Sequence, residues 1–171
     1  MRKIIFSIIL MVIIIPTIQA QEKGYKGMFN AGWILLSENT SFEVLTVHGY
    51  QFNPYLFVGA GAGVNYYCTS DGDDAGYIPI FVDVRGYLLK GKISPYAEAK
   101  IGGQITYNEN GTTGIYFAPE IGCKFALSSK FAFNIACEYI LHREQNIAGI
   151  YSGRSCYIDT GGLCLKVGVE F

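Results

Sequence analysis

An all-β fold, eight antiparallel strands closed up-and-down into a barrel, is predicted by three features of this 171-residue sequence. Apolar residues alternate with polar or small ones over its last stretch, so that Leu163, Leu165, Val167, Val169 and Phe171 share one strand face while Thr160, Gly162, Cys164, Lys166, Gly168 and Glu170 share the other. No segment after residue 20 keeps apolar residues at helical spacing for two turns. The connections between the strand-like runs alternate between tight and long.

Arg2 and Lys3, the apolar run Ile4 to Ile15 and then Pro16-Thr17-Ile18-Gln19-Ala20 follow the charged, hydrophobic and small-residue order of an export signal. The apolar run is shorter than the about 20 residues a spanning helix needs. Residues 1–20 are therefore expected to be cleaved, leaving 21–171 as one domain that starts at Gln21. The remaining about 150 residues suffice for one domain or one small barrel. Loss of Arg2 and Lys3 leaves 11 basic against 14 acidic side chains, a formal charge of −3 with no basic run. Nucleic-acid binding has no support in such a composition.

Turn-forming residues place strands at Tyr25–Leu36, Phe42–Phe52, Tyr55–Cys68, Tyr77–Leu89, Tyr96–Tyr107, Ile115–Leu127, Phe131–His142 and Tyr157–Phe171. The first carries Trp33 toward its far end, and the second is ambiguous in face because both of its phases are largely apolar. The third follows Asn53-Pro54, where proline is tolerated because a strand's first residue need not donate to the ladder. The fourth sets Ile80, Val82, Val84 and Leu88 against Asp83, Arg85 and Tyr87. The fifth sets Ala97, Ala99, Ile101, Gly103, Ile105 and Tyr107 against Glu98, Lys100, Gly102, Gln104 and Thr106. In the sixth, Ile115, Phe117, Pro119, Ile121, Cys123 and Phe125 face away from Glu120, Gly122 and Lys124; in the seventh, Phe131, Phe133, Ile135, Cys137, Tyr139 and Leu141 face away from Asn134, Glu138 and His142. The eighth is the alternating stretch described first.

Asn53-Pro54, Lys90 to Ser94 and Ser128 to Lys130 are tight connections, whereas Thr69 to Gly76, Asn108 to Gly114 and Arg143 to Cys156 are long and polar, with Ser37 to Ser41 a shorter member of that set. Short turns on one side and longer loops on the other are the asymmetry of bacterial outer-membrane barrels. Aromatic residues gather at strand ends, Phe52, Tyr55, Tyr87, Tyr96, Phe125, Phe131 and Phe171 on the turn side and Trp33, Tyr66, Tyr77, Tyr107, Phe117, Tyr139 and Tyr157 nearer the loops. Two such bands are expected where amphipathic rings meet the two membrane interfaces. Solvated charges on a soluble sheet are the bland alternative, since alternation alone does not tell inside from outside.

The polar faces carry Asp83, Arg85, Glu98, Lys100, Glu120, Lys124, Glu138, Lys166 and Glu170, a near-balance that points to mutual pairing inside a lumen. A turn centred between Gly91 and Lys92 puts Arg85 opposite Glu98 and Asp83 opposite Lys100, both favourable cross-strand pairs. A turn centred on Ser129 puts Glu120 opposite Glu138, which requires a third partner, Lys100 or Lys166 across the lumen, or one carboxyl that keeps its proton. Eight strands enclose a space about wide enough for side chains to fill.

Cys68, Cys123, Cys137, Cys156 and Cys164 show no CxxC or Cys/His spacing, so no metal or redox site is expected; Cys123 and Cys137 fall on apolar faces, and Cys68 and Cys156 lie near loops where they could bridge. Asp71, Asp73 and Asp74 lack the later glutamate of a calcium loop and read as a solvated turn. Ile147, Ile150 and Tyr151 are expected to pack on the barrel rim. His48 and His142 are the only histidines, and neither is followed two residues later by a serine; His142 reads as a hydrogen-bonder at the rim.

In the stretches Gly49-Tyr50-Gln51-Phe52-Asn53-Pro54-Tyr55-Leu56-Phe57-Val58-Gly59-Ala60-Gly61, Ile78-Pro79-Ile80-Phe81-Val82-Asp83-Val84-Arg85, Ser94-Pro95-Tyr96 and Val167-Gly168-Val169-Glu170-Phe171, the chain resembles the small OmpA/OmpX-type outer-membrane barrels, and more closely the short porin-family β-barrel proteins of Bacteroides-like bacteria. The resemblance implies an outer-membrane location in a Gram-negative bacterium, lipid contact and insertion by the barrel-assembly machinery, with Phe171 as the terminal aromatic signal. It implies no cofactor and no defined substrate. The expected function is a non-enzymatic, monomeric barrel with a filled or narrow lumen, structural, adhesive or weakly porin-like. The alternatives are a lipid A-modifying enzyme, which needs a histidine to activate a serine beside a carboxylate, and a soluble periplasmic lipocalin-like barrel with apolar faces turned inward.

Overall fold

A computed structural model describes residues 23–35, 40–67, 75–106, 113–128, 130–146 and 156–171. The strands are β1 (Gly24–Leu35), β2 (Thr40–Asn53), β3 (Leu56–Tyr67), β4 (Ala75–Tyr87), β5 (Ile93–Thr106), β6 (Thr113–Ala126), β7 (Ala132–Asn146) and β8 (Cys156–Glu170). Each pairs antiparallel with its neighbours in sequence, and β8 returns to β1, closing the barrel. Closure leaves no unpaired strand edge, which a chain in hydrocarbon cannot tolerate. The seam is sealed at its turn end by two backbone bonds, Gly27 N–H to the Phe171 carbonyl at 2.8 Å and Phe171 N–H to the Gly27 carbonyl at 2.9 Å.

Four elements, β2, β5, β6 and β7, run longer than the sequence pattern predicts, and register explains the clearest two. β5 starts at Ile93 rather than Tyr96, because Ile93 and Ser94 find partners in Phe125 and Lys124. β7 continues to Asn146 rather than His142, because Arg143 to Asn146 pair with Asp159 back to Cys156. The turns are held by side chains: Asn53 Oδ1 accepts the Tyr55 N–H at 2.8 Å, and Ser128 Oγ accepts the Lys130 and Phe131 N–H groups at 3.2 and 3.1 Å.

Partners followed once round the barrel run Gly24, Gln51, Phe57, Arg85, Glu98, Glu120, Glu138, Cys164 and back to Ile34, ten positions along β1 from the start. That stagger over eight strands corresponds to a strand tilt of about 40° at ordinary rise and spacing. Phe42 and Phe52, at opposite ends of β2, then lie about 25 Å apart along the axis, the height of an outer-membrane apolar band.

The two strand faces differ sharply in exposure. Ile121 is 69% exposed, Val167 61% and Ile101 59%, while Arg85, Lys100 and Glu138 are 0% exposed. Apolar side chains coat the outside and charges fill the inside, the reverse of a lipocalin-like barrel. The ambiguous β2 resolves with Glu43, Leu45, Val47 and Gln51 inward and Phe42, Val44, Thr46, His48, Tyr50 and Phe52 outward.

Candidate functional site

The lumen is crossed by a lattice of buried charges in two tiers. Toward the turns, Arg85 on β4 is ion-paired with Glu98, directly opposite on β5, and reaches Glu170 on β8 at 2.6 Å. The Tyr96 ring lies 4.2 Å from its guanidinium carbon, and the Tyr87 hydroxyl donates to Glu170 at 3.3 Å. Toward the loops, Lys100 contacts Glu98 at 2.6 Å, Glu120 at 2.7 Å and Glu138 at 2.6 Å. Lys166 contacts Glu43 at 2.6 Å, Glu138 at 2.7 Å and Glu120 at 3.4 Å. Tyrosines supply the remaining donors, Tyr96 to Glu120 at 2.8 Å and Tyr116 to Glu43 at 3.3 Å.

Most of the charges expected to face inward sit in this lattice. Glu120 does lie opposite Glu138, and both lysines named as third partners stand between them. Two placements differ from expectation. Asp83 is opposite Lys100 in register, yet its carboxylate accepts no hydrogen bond among the described residues, because the Lys100 ammonium turns to three glutamates whose longer side chains reach the lumen axis. Lys124 does not join the carboxylates; it is half-buried at the turn-side mouth with its ammonium 4.1 Å from the Tyr87 ring centroid. Tyr87 and Tyr96, expected in the turn-side aromatic band, point inward and are buried, Tyr87 as its place on the polar face with Asp83 and Arg85 requires.

Glu43 and Lys26 are interior charges the sequence reading missed. Glu43 was hidden by the two apolar phases of β2, and only its position two residues from Leu45 and four from Val47 on one phase could have found it. Lys26 lies at the mouth, 5.6 Å from the Tyr87 centroid.

The wall opposite the lattice is apolar. On β3 the inward row is Phe57, Gly59, Gly61, Gly63 and Asn65, and the glycines make room for rings. A Cβ on Gly59 would stand 2.8 Å from the Phe57 ring, and one on Gly61 would stand 2.7 Å from the Phe81 ring. Leu45, Val47, Phe57 and Phe81 are all buried there.

On the lipid-facing side, the Tyr25 hydroxyl and His48 Nδ1 lie 2.6 Å apart, and Thr46 Oγ1 lies 3.0 Å from His48 Nε2. Thr46 stands two residues before His48 but is a threonine, and so falls outside the histidine–serine spacing weighed in the sequence. Phe171 is half-buried, its ring lying over Gly27 outside the barrel. Cys123 and Cys137 are free and half-buried; Cys164 is free and buried in the lumen. Residues 1–22, Cys68, Asp71, Asp73, Asp74, Ile147, Ile150 and Tyr151 lie outside the described residues, as do the side chains of His142 and Cys156.

No protein-family model matches the sequence, and no curated protein does. Among solved structures the chain is similar to Neisserial surface protein A at TM-score 0.65 and 12% identity, over 88% of this chain and 96% of that one. It is similar to the outer membrane protein OprG from Pseudomonas aeruginosa at 0.59 and 14%, over 90% and 99%. The N-terminal β-barrel domain of Pseudomonas aeruginosa OprF aligns at 0.54 and 12%, over 88% and 98%. The fold is that of the small eight-stranded outer-membrane barrels, and the apolar exterior is that of a barrel facing lipid.

Proposed function

We propose that this chain is a non-enzymatic outer-membrane barrel whose lumen is plugged, so that it works as a wall-like scaffold presenting its loops rather than as a solute pore. The observation that carries the reading is the lattice of Arg85, Lys100 and Lys166, each fully or almost fully buried and each bonded to carboxylates from at least two other strands. Buried ion pairs of this kind fill the cross-section, and opening a path between them means separating charges in a dry interior. Residues 1–20 act as the export signal, Phe171 serves the assembly machinery from the closed seam, and the barrel works as a monomer with lipid around it.

Among the described residues, the histidine–hydroxyl arrangement open to the enzymatic alternative is the Tyr25–His48–Thr46 chain. That chain contains two hydroxyls and a histidine but no carboxylate, and the backbone N–H groups around it belong to the β-ladder, so none is arranged as an oxyanion hole.

Outer-membrane fractionation, gel mobility with and without boiling, and planar-bilayer recording test the proposal together. A heat-sensitive mobility shift in the outer-membrane fraction with electrically silent insertion is expected. Steady conductance by the wild-type chain would overturn the plugged lumen, and recovery in the periplasm without detergent would overturn the membrane assignment.

A further inference from the structure

The turn-side mouth of the lumen holds two ammonium groups over one aromatic ring. Lys26 of β1 and Lys124 of β6 lie three strands apart around the barrel, yet both aim at Tyr87, with Nζ 5.6 and 4.1 Å from its centroid. Both are half-buried, and among the described residues neither forms an ion pair. The nearest acid, Glu170, is already engaged by Arg85 at 2.6 Å and by the Tyr87 hydroxyl. Arg85 also serves Glu98, so the one acid beside this mouth is already committed to a guanidinium that two carboxylates share. Two cations drawn to one ring, and partly stripped of water, repel each other, and an anion bound by both relieves that repulsion.

The rim around this mouth has the same sign. Lys23, Lys92 and Lys130 are exposed there, and no acidic side chain occurs among the described residues of the three turns. A field of this shape draws anions to one end of the barrel.

We propose that the turn-side mouth is a phosphate-binding site, in which Lys26 and Lys124 clamp one phosphate group above Tyr87 and the rim lysines raise its local concentration. Lysine binds phosphate as a point charge through its three donors. Phosphate of a soluble compound and phosphate of a phospholipid headgroup share this chemistry, and the test separates them.

The wild-type barrel in dodecyl maltoside is treated with a lysine-acetylating reagent with and without inorganic phosphate, at constant ionic strength made up with chloride, and each lysine is read by mass spectrometry. Phosphate should slow acetylation of Lys26 and Lys124 about fivefold or more while leaving Lys92 and Lys130 nearly unchanged, and K26Q/K124Q should weaken phosphate binding about tenfold, seen as loss of 31P line broadening. K92Q/K130Q should keep the binding within about threefold. A parallel arm compares nanodiscs of phosphatidylglycerol and phosphatidylcholine without free phosphate: protection of Lys26 and Lys124 by phosphatidylglycerol assigns the headgroup as source, and protection by inorganic phosphate alone assigns a soluble anion. Equal slowing at all lysines, or none at Lys26 and Lys124 in either arm, overturns the site. Because the footprint is read on the wild-type chain, misfolding of a variant does not obscure the result.

Discussion

Replacement of Lys100 by methionine is the sharpest test of the lumen lattice, because one ammonium joins Glu98, Glu120 and Glu138 on three consecutive strands. Breaking a buried ion pair by removing one partner costs about 3 to 5 kcal/mol. Each of the three glutamates keeps a second cation, Arg85 for Glu98 and Lys166 for Glu120 and Glu138, and Tyr96 still donates to Glu120. No carboxylate is left wholly unpaired, so the cost should fall at the low end, about 3 kcal/mol. Glu120 then faces Glu138 with only Lys166 between them. Adding Glu120→Gln removes that opposition and should return about 1 to 2 kcal/mol, a coupling that independent sites would not show. The assay is urea unfolding of the barrel in phospholipid vesicles, read by gel mobility and by the emission of Trp33, the chain's single tryptophan, which is exposed on the lipid-facing surface. A K100M loss below about 1 kcal/mol, or a double variant no more stable than K100M, would refute the view that these charges are mutually held.

Four further outcomes are expected. Gly61→Val should cost about 2 to 3 kcal/mol in the same assay by driving a branched side chain into the Phe81 ring, and Phe81→Leu in that background should restore part of it. Phe171→Ala should change the unfolding free energy by less than about 1 kcal/mol, since both seam bonds to Gly27 are backbone bonds, yet lower the assembled outer-membrane fraction in cells; equal losses in both would remove any separate assembly role. Glu43→Leu should alter stability by no more than about 1 to 2 kcal/mol, because Lys166 keeps Glu138 and Glu120, but reduce the refolded yield measured by heat-sensitive mobility. His48→Ala should leave the lipid A mass spectrum of producing cells unchanged, and a change in acylation would revive the enzymatic reading.

The fold was legible because strand faces in a membrane barrel are written in alternation. Ile101, Ile121, Val167 and their neighbours are outward and Glu98, Lys100 and Glu120 inward as their phases require. Turn positions carried the register, so Arg85 and Glu98 meet as expected. What register leaves open is where a flexible ammonium ends up. Lys100 has Asp83 directly opposite yet bonds to glutamates on its own strand and the next two, a choice set by side-chain reach and by the three-dimensional lumen rather than by pairing. Lys124 reads as one more polar-face charge, but its height at the mouth gives it a ring in place of a carboxylate. For Tyr87 and Tyr96 strand phase is a better guide than nearness to a strand end: both alternate with outward Gly86, Leu88, Pro95 and Ala97, and phase alone already sets Tyr87 beside Asp83 and Arg85.

The lattice also answers why a barrel coated with apolar residues carries charges inside at all, when apolar filling of the same volume is often at least as stable. With both faces apolar, a strand slipped by one residue would look nearly as good as the native one, because slippage exchanges its two faces. β2 shows the difficulty: its outward Phe42, Val44 and Tyr50 are scarcely more apolar than its inward Leu45 and Val47. Arg85 ties β4 to β5 and β8, Lys100 ties β5 to β6 and β7, and Lys166 ties β8 to β6, β7 and β2. The tie to β2 runs through Glu43, the one charge on its inward face. β3 has no such tie and takes its place instead from shape, since its glycine row admits Phe57 and Phe81 only when it faces inward. Charge therefore sets register on the ionic wall, and ring-on-glycine packing sets it on the apolar one.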